Sequence, residues 1–208
     1  DQIIKIDSFK GTRDRSWGLR PIGNKDNKET KHTEAPQFYW IWTPMNFPNH
    51  CIFYHRNDDS LGKSWNCRAV VDNLEENSRL EITSPKIEID YKKNTRRING
   101  LKIKLEDAEL EFIPGRVFYM QGLGYTHPEW GHGNNHGKLE VGFDIIDLDK
   151  AESELAKGLI HNLHIQTLSK IKFKTPEIFI TGQGVIEQLF IGRHKPSGFE
   201  GILDRIIE

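Results

Sequence analysis

The stretch RLEITSPKIEIDYKKNTRRINGLKIKLEDAELEF, Arg79 to Phe112, reads with a period of two along almost its whole length. Leu80 and Ile82 share one side, the phase changes across Ser84-Pro85, and Ile87, Ile89 and Tyr91 continue on the other. Pro85 accounts for the break: lacking an N–H, it cannot donate to a strand ladder and is confined to edges and bulges. After a turn near Asn94, Leu101, Ile103 and Leu105 alternate with Lys102, Lys104 and Glu106. Ala108, Leu110 and Phe112 then alternate with Glu109 and Glu111. Such alternation sets apolar groups on one face and charges on the other, as in half-buried antiparallel strands.

The same rule applied outward predicts strands at 3–6, 38–43, 51–56, 64–71, 117–120, 139–145, 160–166, 177–181 and 185–191. With those above, this makes about a dozen short strands punctuated by Gly, Asn, Asp and Pro, the pattern of a sandwich or barrel. One helix is expected in DLDKAESELAKG, with Asp147 or Asp149 as cap and Gly158 as terminator. The polar segment 23–36 has no periodicity and reads as an exposed loop. The expected architecture is all-β and antiparallel, a sandwich or barrel forming one domain over residues 1–208. Residues 1–20 are the candidate end of a preceding unit, and the opening Asp1 leads us to expect a processed or truncated piece of a longer protein.

Composition narrows the function classes. The 208 residues include 29 Lys+Arg against 30 Asp+Glu, with no sustained basic stripe, which argues against nucleic-acid binding. No apolar run reaches the roughly 20 residues of a membrane span, so no membrane span is expected. Cys51 and Cys67 are the only cysteines and make no disulfide framework. They read as reduced thiols of a cytoplasmic protein.

Three clusters could carry chemistry. GLGYTHPEWGHGNNHG, Gly122 to Gly137, offers His127, Glu129, His132 and His136. Metal binding, an acid–base role and a shaped aromatic turn are all open. Pro128 and the glycines exclude the helical face that an HExxH zinc site needs. In GTRDRSWGLRP, Gly11 to Pro21, Arg13, Arg15 and Trp17 share a strand parity. They would tie down a carboxylate or grip a ligand. In GQGVIEQLFIGRHKPSGF, Gly182 to Phe199, Glu187 shares a face with Val185, Leu189 and Ile191, while Ile186, Gln188 and Phe190 share the other. A carboxylate in such a strand either pairs with an arginine, for which Arg13 and Arg15 are candidates, or becomes a general acid. His55 reads as a satisfied core histidine, and Trp40 and Trp42 as core or pocket wall.

RDRSWGLRP, GYTHPEWGHG and GQGVIEQLFIGRHKPSGF, in that order, resemble an uncharacterised bacterial lipocalin-like (calycin) family of paired domains. They are distantly similar to the AttH-like and carotenoid 1,2-hydratase group. The resemblance spans Gly11 to Phe199. It implies a calycin barrel, packing against a preceding homologous barrel, and proton-transfer chemistry on isoprenoid-like substrates with no cofactor and no metal.

The expected function is binding of a small hydrophobic, isoprenoid- or steroid-like molecule in a barrel cavity, with cofactor-free hydration or isomerisation. Candidate catalytic residues are Glu187, His127, Glu129 and His132. Candidate ligand-binding residues are Arg13, Arg15, Trp17, Trp40, Trp42, Tyr125 and Trp130. The alternatives are a non-catalytic lipocalin-like binder and a metal-dependent enzyme built on the His127–His136 loop.

Overall fold

A computed structural model describes residues 3, 5, 7, 9–15, 37–120, 135–142, 145, 147 and 164–204. Among these residues nine strands form one antiparallel sheet: β1 Phe38–Asn46, β2 His50–Asp58, β3 Ser64–Asn73, β4 Ser78–Thr83, β5 Lys86–Tyr91, β6 Ile98–Leu105, β7 Ala108–Tyr119, β8 His164–Lys174 and β9 Phe179–Ile191. Their spatial order is β4-β3-β2-β1-β9-β8-β7-β6-β5. The two edge strands are consecutive in the chain and are joined only by Ser84 and Pro85. The sheet therefore curls back towards itself as a half-barrel, and the all-β, lipocalin-like expectation holds. At the join Ser84 takes a φ of 54° and Pro85 is buried. The Ser84 N–H bonds to the Cys67 carbonyl at 3.1 Å. The slip in alternation read from the sequence marks this corner.

One row of each strand fills the interior. Tyr39, Ile41 and Met45 of β1 pack in one cluster with Ile52, Tyr54, Ile103, Phe112, Ile171, Ile186 and Phe190. In β9 the buried row contains Ile186, Gln188 and Phe190, and Glu187 lies between them on the opposite face, as its parity requires. Gln188 is itself buried, bridging the sheet to the β5–β6 turn. Its Oε1 accepts the Ile98 N–H at 2.9 Å, and its Nε2 donates to the Arg96 carbonyl at 2.8 Å.

Several sequence expectations need correction. The segments 108–112 and 117–120 are one strand, β7, whose register against β8 shifts between Pro114 and Val117. The segments 177–181 and 185–191 are also one strand, because β9 runs straight through Gly182 and Gly184. A Cβ at either position would lie 2.4 Å from a β1 carbonyl, that of Asn46 or Pro44, so glycine here permits the close crossing of two strands. Residues 139–142 and 145 form no strand. Leu139, Val141 and Ile145 are 83%, 78% and 86% exposed. Alternation alone gave a false strand there. The expected helix falls almost wholly outside the described residues, and among those described no helix is long and apolar enough to cross a membrane. Cys51 and Cys67 are free thiols on adjacent strands; their cross-strand partners are Asp72 and Arg56, so they do not face each other.

After β9 the chain folds back over one end of the half-barrel through a 3₁₀ turn, Lys195–Ser197. The β2–β3 hairpin holds this turn. The Lys195 N–H bonds to the Ser60 carbonyl at 2.9 Å, and Pro196 packs on Gly62, which has a φ of 86°. A Cβ on Gly62 would sit 2.2 Å from Pro196 Cγ. Gly62→Ala is therefore expected to cost about 2 kcal/mol, combining left-handed strain with overpacking. Denaturant unfolding of the variant checks this.

Asp58, at the end of β2, is 1% exposed and accepts from Arg56 Nε at 2.9 Å, Ser64 Oγ at 2.6 Å and His194 Nε2 at 3.2 Å. Burial pushes its carboxyl pKa up, but the hydrogen bonds from His194 and Ser64 and the Arg56 charge outweigh it and hold the pKa low. A carboxyl lowered in the fold stabilises it above the ordinary value of about 3.9. That stability is lost as pH falls through the folded value. Asp58→Asn should accordingly flatten the acid limb of a stability–pH curve measured by denaturant titration.

Candidate functional site

The residues around Glu187 gather on the outer face of the sheet, away from the packed interior. Antiparallel pairing sets Glu187 of β9 opposite Trp42 of β1 and Gln166 of β8. His164 lies two residues before Gln166 on the same side of β8. The carboxylate is held by these two neighbours: Oε1 lies 2.6 Å from His164 Nε2, and Gln166 Nε2 donates to Oε2 at 2.9 Å. Both members of the His164–Glu187 pair are largely buried, with side chains 10% and 13% exposed.

Aromatic rings frame the pair. The Trp40 and His164 rings meet edge to face at 5.5 Å, and Trp42 stacks on Phe53 at 5.8 Å. His55 stands between the two indoles. Trp40 Nε1 donates to His55 Nε2 at 2.7 Å, and since an indole can only donate, that nitrogen is unprotonated. In a neutral ring the proton then sits on Nδ1. Burial lowers the His55 pKa and favours this neutral ring. His55 is thus satisfied, as expected, but on the outer face and not in the core.

Beside Glu187 opens a cavity of about 800 Å³. Trp42, Leu168 and Val185 supply apolar wall, and Gln166 and Glu187 supply polar atoms. The segment containing Thr12 and Asp14 forms another side. This volume suits a small organic ligand.

The sequence-derived candidates divide three ways. Glu187, Trp40 and Trp42 come together. Arg13 and Arg15 are described and exposed, and among the described residues neither forms an ion pair with Glu187. The expected arginine partner is replaced by His164 and Gln166, because the β8–β9 register puts those side chains next to the carboxylate. Trp17, Tyr125, His127, Glu129, Trp130 and His132 lie outside the described residues. His164 and Gln166 were not singled out from the sequence. Their shared parity was visible there, but the β8–β9 register that brings them to Glu187 was not.

The geometry supports proton exchange. The 2.6 Å hydrogen bond between His164 Nε2 and Glu187 is a path for a proton, and Glu187, which lines the adjoining cavity, is the member placed to present it to a bound molecule. Gln166 fixes the second carboxyl oxygen and with it the orientation of the group.

Comparison with known proteins assigns a family. The chain belongs to the family of unknown function DUF8625, whose profile matches residues 1–200. No curated protein sequence matches it. Among solved structures, kievitone hydratase from Nectria haematococca is similar at a TM-score of 0.42 and 12% identity, over 76% of this chain and 41% of that one. An AttH-like protein from Nitrosomonas europaea is similar at 0.40 and 9%, over 77% and 41%. The chain spans less than half the length of either.

Proposed function

We propose that this member of the DUF8625 family binds a small hydrophobic molecule in the outer-face cavity and transfers a proton to it through the His164–Glu187 pair. The observation that carries this reading is the 2.6 Å hydrogen bond between His164 and Glu187 beside an apolar wall, with Glu187 and Trp42 lining one cavity. Protonation of an alkene by the carboxyl would generate a cation, and an indole face beside it stabilises such charge. Capture by water gives hydration, and loss of a different proton gives isomerisation. Neither outcome needs an organic cofactor. Residues 10–14 reach this cavity, and their assignment to the end of a preceding barrel belongs to the same proposal.

A binder without chemistry is the second reading. It is favoured by the fact that both carboxyl oxygens of Glu187 are already engaged. One variant separates the two. Glu187→Gln keeps the shape and removes the transferable proton. With an isoprenoid alcohol such as farnesol as probe, quenching of tryptophan emission reports binding, and deuterium uptake from heavy water reports proton transfer. The catalytic reading predicts binding retained and deuterium uptake lowered about 100-fold. Uptake unchanged in the variant would remove Glu187 as the acid. Binding by the wild type with no uptake would establish the binder.

A further inference from the structure

A second constellation lies on the other face of β1, where the 3₁₀ turn caps the half-barrel. Five side chains form one hydrogen-bonded line. Tyr39 and Tyr91 hydroxyls are 2.9 Å apart, and Tyr91 OH is 2.6 Å from Ser197 Oγ. Ser197 Oγ is 2.8 Å from His194 Nδ1, and His194 Nε2 is 3.2 Å from Asp58 Oδ2. The direction of every bond follows from the far end. Asp58 also accepts from Arg56 and Ser64, so it is an ionised acceptor and His194 must donate from Nε2. With the ring neutral, Nδ1 is then a lone pair, and Ser197 must donate to it. Ser197 has spent its only proton, so Tyr91 donates to Ser197 and Tyr39 donates to Tyr91. The serine hydroxyl is thereby aimed at a base that is oriented by a buried carboxylate.

The same residues line a cavity of about 460 Å³ bounded by β2, β5 and the turn, with Ile87 and Ile89 as its apolar wall. His194 is 4% exposed and stacks on Tyr39 at 3.7 Å, which fixes the imidazole plane. Ser197 is half-buried, within reach of a molecule in the cavity. The turn that carries both His194 and Ser197 is pinned by the Pro196–Gly62 contact. The use of Nδ1 for the serine follows from locality: Ser197 is three residues beyond His194, and Nδ1 is the ring nitrogen nearer the backbone.

We infer that Ser197, His194 and Asp58 form a nucleophilic triad that accepts a small carboxylic ester, its acyl chain lying along Ile87 and Ile89. The site is independent of the Glu187 cavity. Ser197 Oγ attacks the ester carbonyl, and its proton moves to His194 Nδ1 while Asp58 stabilises the imidazolium. Once Oγ is bonded to carbon it is a poor acceptor, so the Tyr91 hydroxyl turns to the carbonyl oxygen and stabilises the developing charge. The carbon–alkoxide bond breaks and the alkoxide takes the proton from Nδ1. Water then attacks the acyl group and gives a proton to Nδ1. The carboxylic acid departs as Ser197 regains its proton.

The test uses the full chain with p-nitrophenyl butyrate as substrate and a fluorophosphonate probe, followed by peptide mass spectrometry. The expected result is a phosphonyl adduct on Ser197 and ester turnover, both lost in Ser197→Ala. His194→Gln should lower the labelling rate about 100-fold or more. Ser197→Ala removes one hydroxyl from a half-buried side chain, and an unchanged unfolding midpoint shows that its loss of labelling is chemical. An adduct absent from Ser197 in folded wild type overturns the triad. So does ester turnover that is undiminished in Ser197→Ala.

Discussion

Arg96→Ala is expected to lower the unfolding free energy by about 3 kcal/mol or more, because it strands several hydrogen-bond acceptors at about 1–3 kcal/mol each. Arg96 is 4% exposed. Its Nη1 donates to the Gly192 carbonyl at 2.7 Å, its Nη2 to that of Gly201 at 2.9 Å, and its Nε to that of Asp204 at 2.8 Å. Nη2 also pairs with the Asp204 carboxylate. The guanidinium carbon lies 4.4 Å over the Phe199 ring. One side chain thus gathers the segment after β9, and truncation strands three carbonyls and a carboxylate together. Arg96→Lys should recover only part of the loss, because an ammonium cannot reproduce the planar fork or the stacking. Urea unfolding with its slope compared among the three proteins checks this. Equal stability of wild type and Arg96→Ala would show that the segment holds itself.

Phe190→Ala is expected to cost a comparable 3–5 kcal/mol, as large-to-small changes of buried aromatics do. Phe190 is 2% exposed and stacks on Tyr39 with ring centroids 4.3 Å apart and planes 14° apart. It also meets Tyr91 at 6.3 Å and Phe199 at 6.2 Å. Phe190→Leu should restore most of the stability by refilling the volume. Because Phe199 touches both Phe190 and Arg96, the two alanine changes share a neighbour. The double variant should lose less than the sum of the singles. Strict additivity in thermal or chemical unfolding would show that the ring cluster and the arginine clamp are independent.

The strands were legible wherever one face met the interior and the other met water. RLEITSPKIEIDY and the run to Phe112 became β4 to β7 with their faces assigned correctly, and Pro85 marked the corner between the sheet edges. The failures have physical causes. Leu139 and Val141 alternate but pair with no strand among the described residues, and pairing partners are not written in a local pattern. Gly182 and Gly184 looked like a turn, yet they serve a close strand crossing inside β9. At the candidate site, parity placed Glu187 correctly on its strand. Its partners Gln166 and His164, 21 and 23 residues away, depend on the register of β8 against β9, which alternation cannot supply. Arg13 and Arg15 drew attention because they stood beside a tryptophan. Among the described residues the buried arginine is Arg96, in what looked like an ordinary turn. Asp58 and His194 meet across a sequence separation of 136 residues, so no motif search could have joined them.

The placement of β9 between β1 and β8 has a kinetic side. The β1–β4 and β5–β7 meanders each join neighbours through short turns and can form early from local contacts. Joining these halves requires β9, whose Ile191 pairs with Phe38 at the far end of β1. Closing a loop of that length before any contact rewards it is slow. Folding is therefore expected to be limited by the docking of this strand. Until it docks, the long edge of β1 stays open to pairing with other chains, making the interval before closure the period of greatest aggregation hazard.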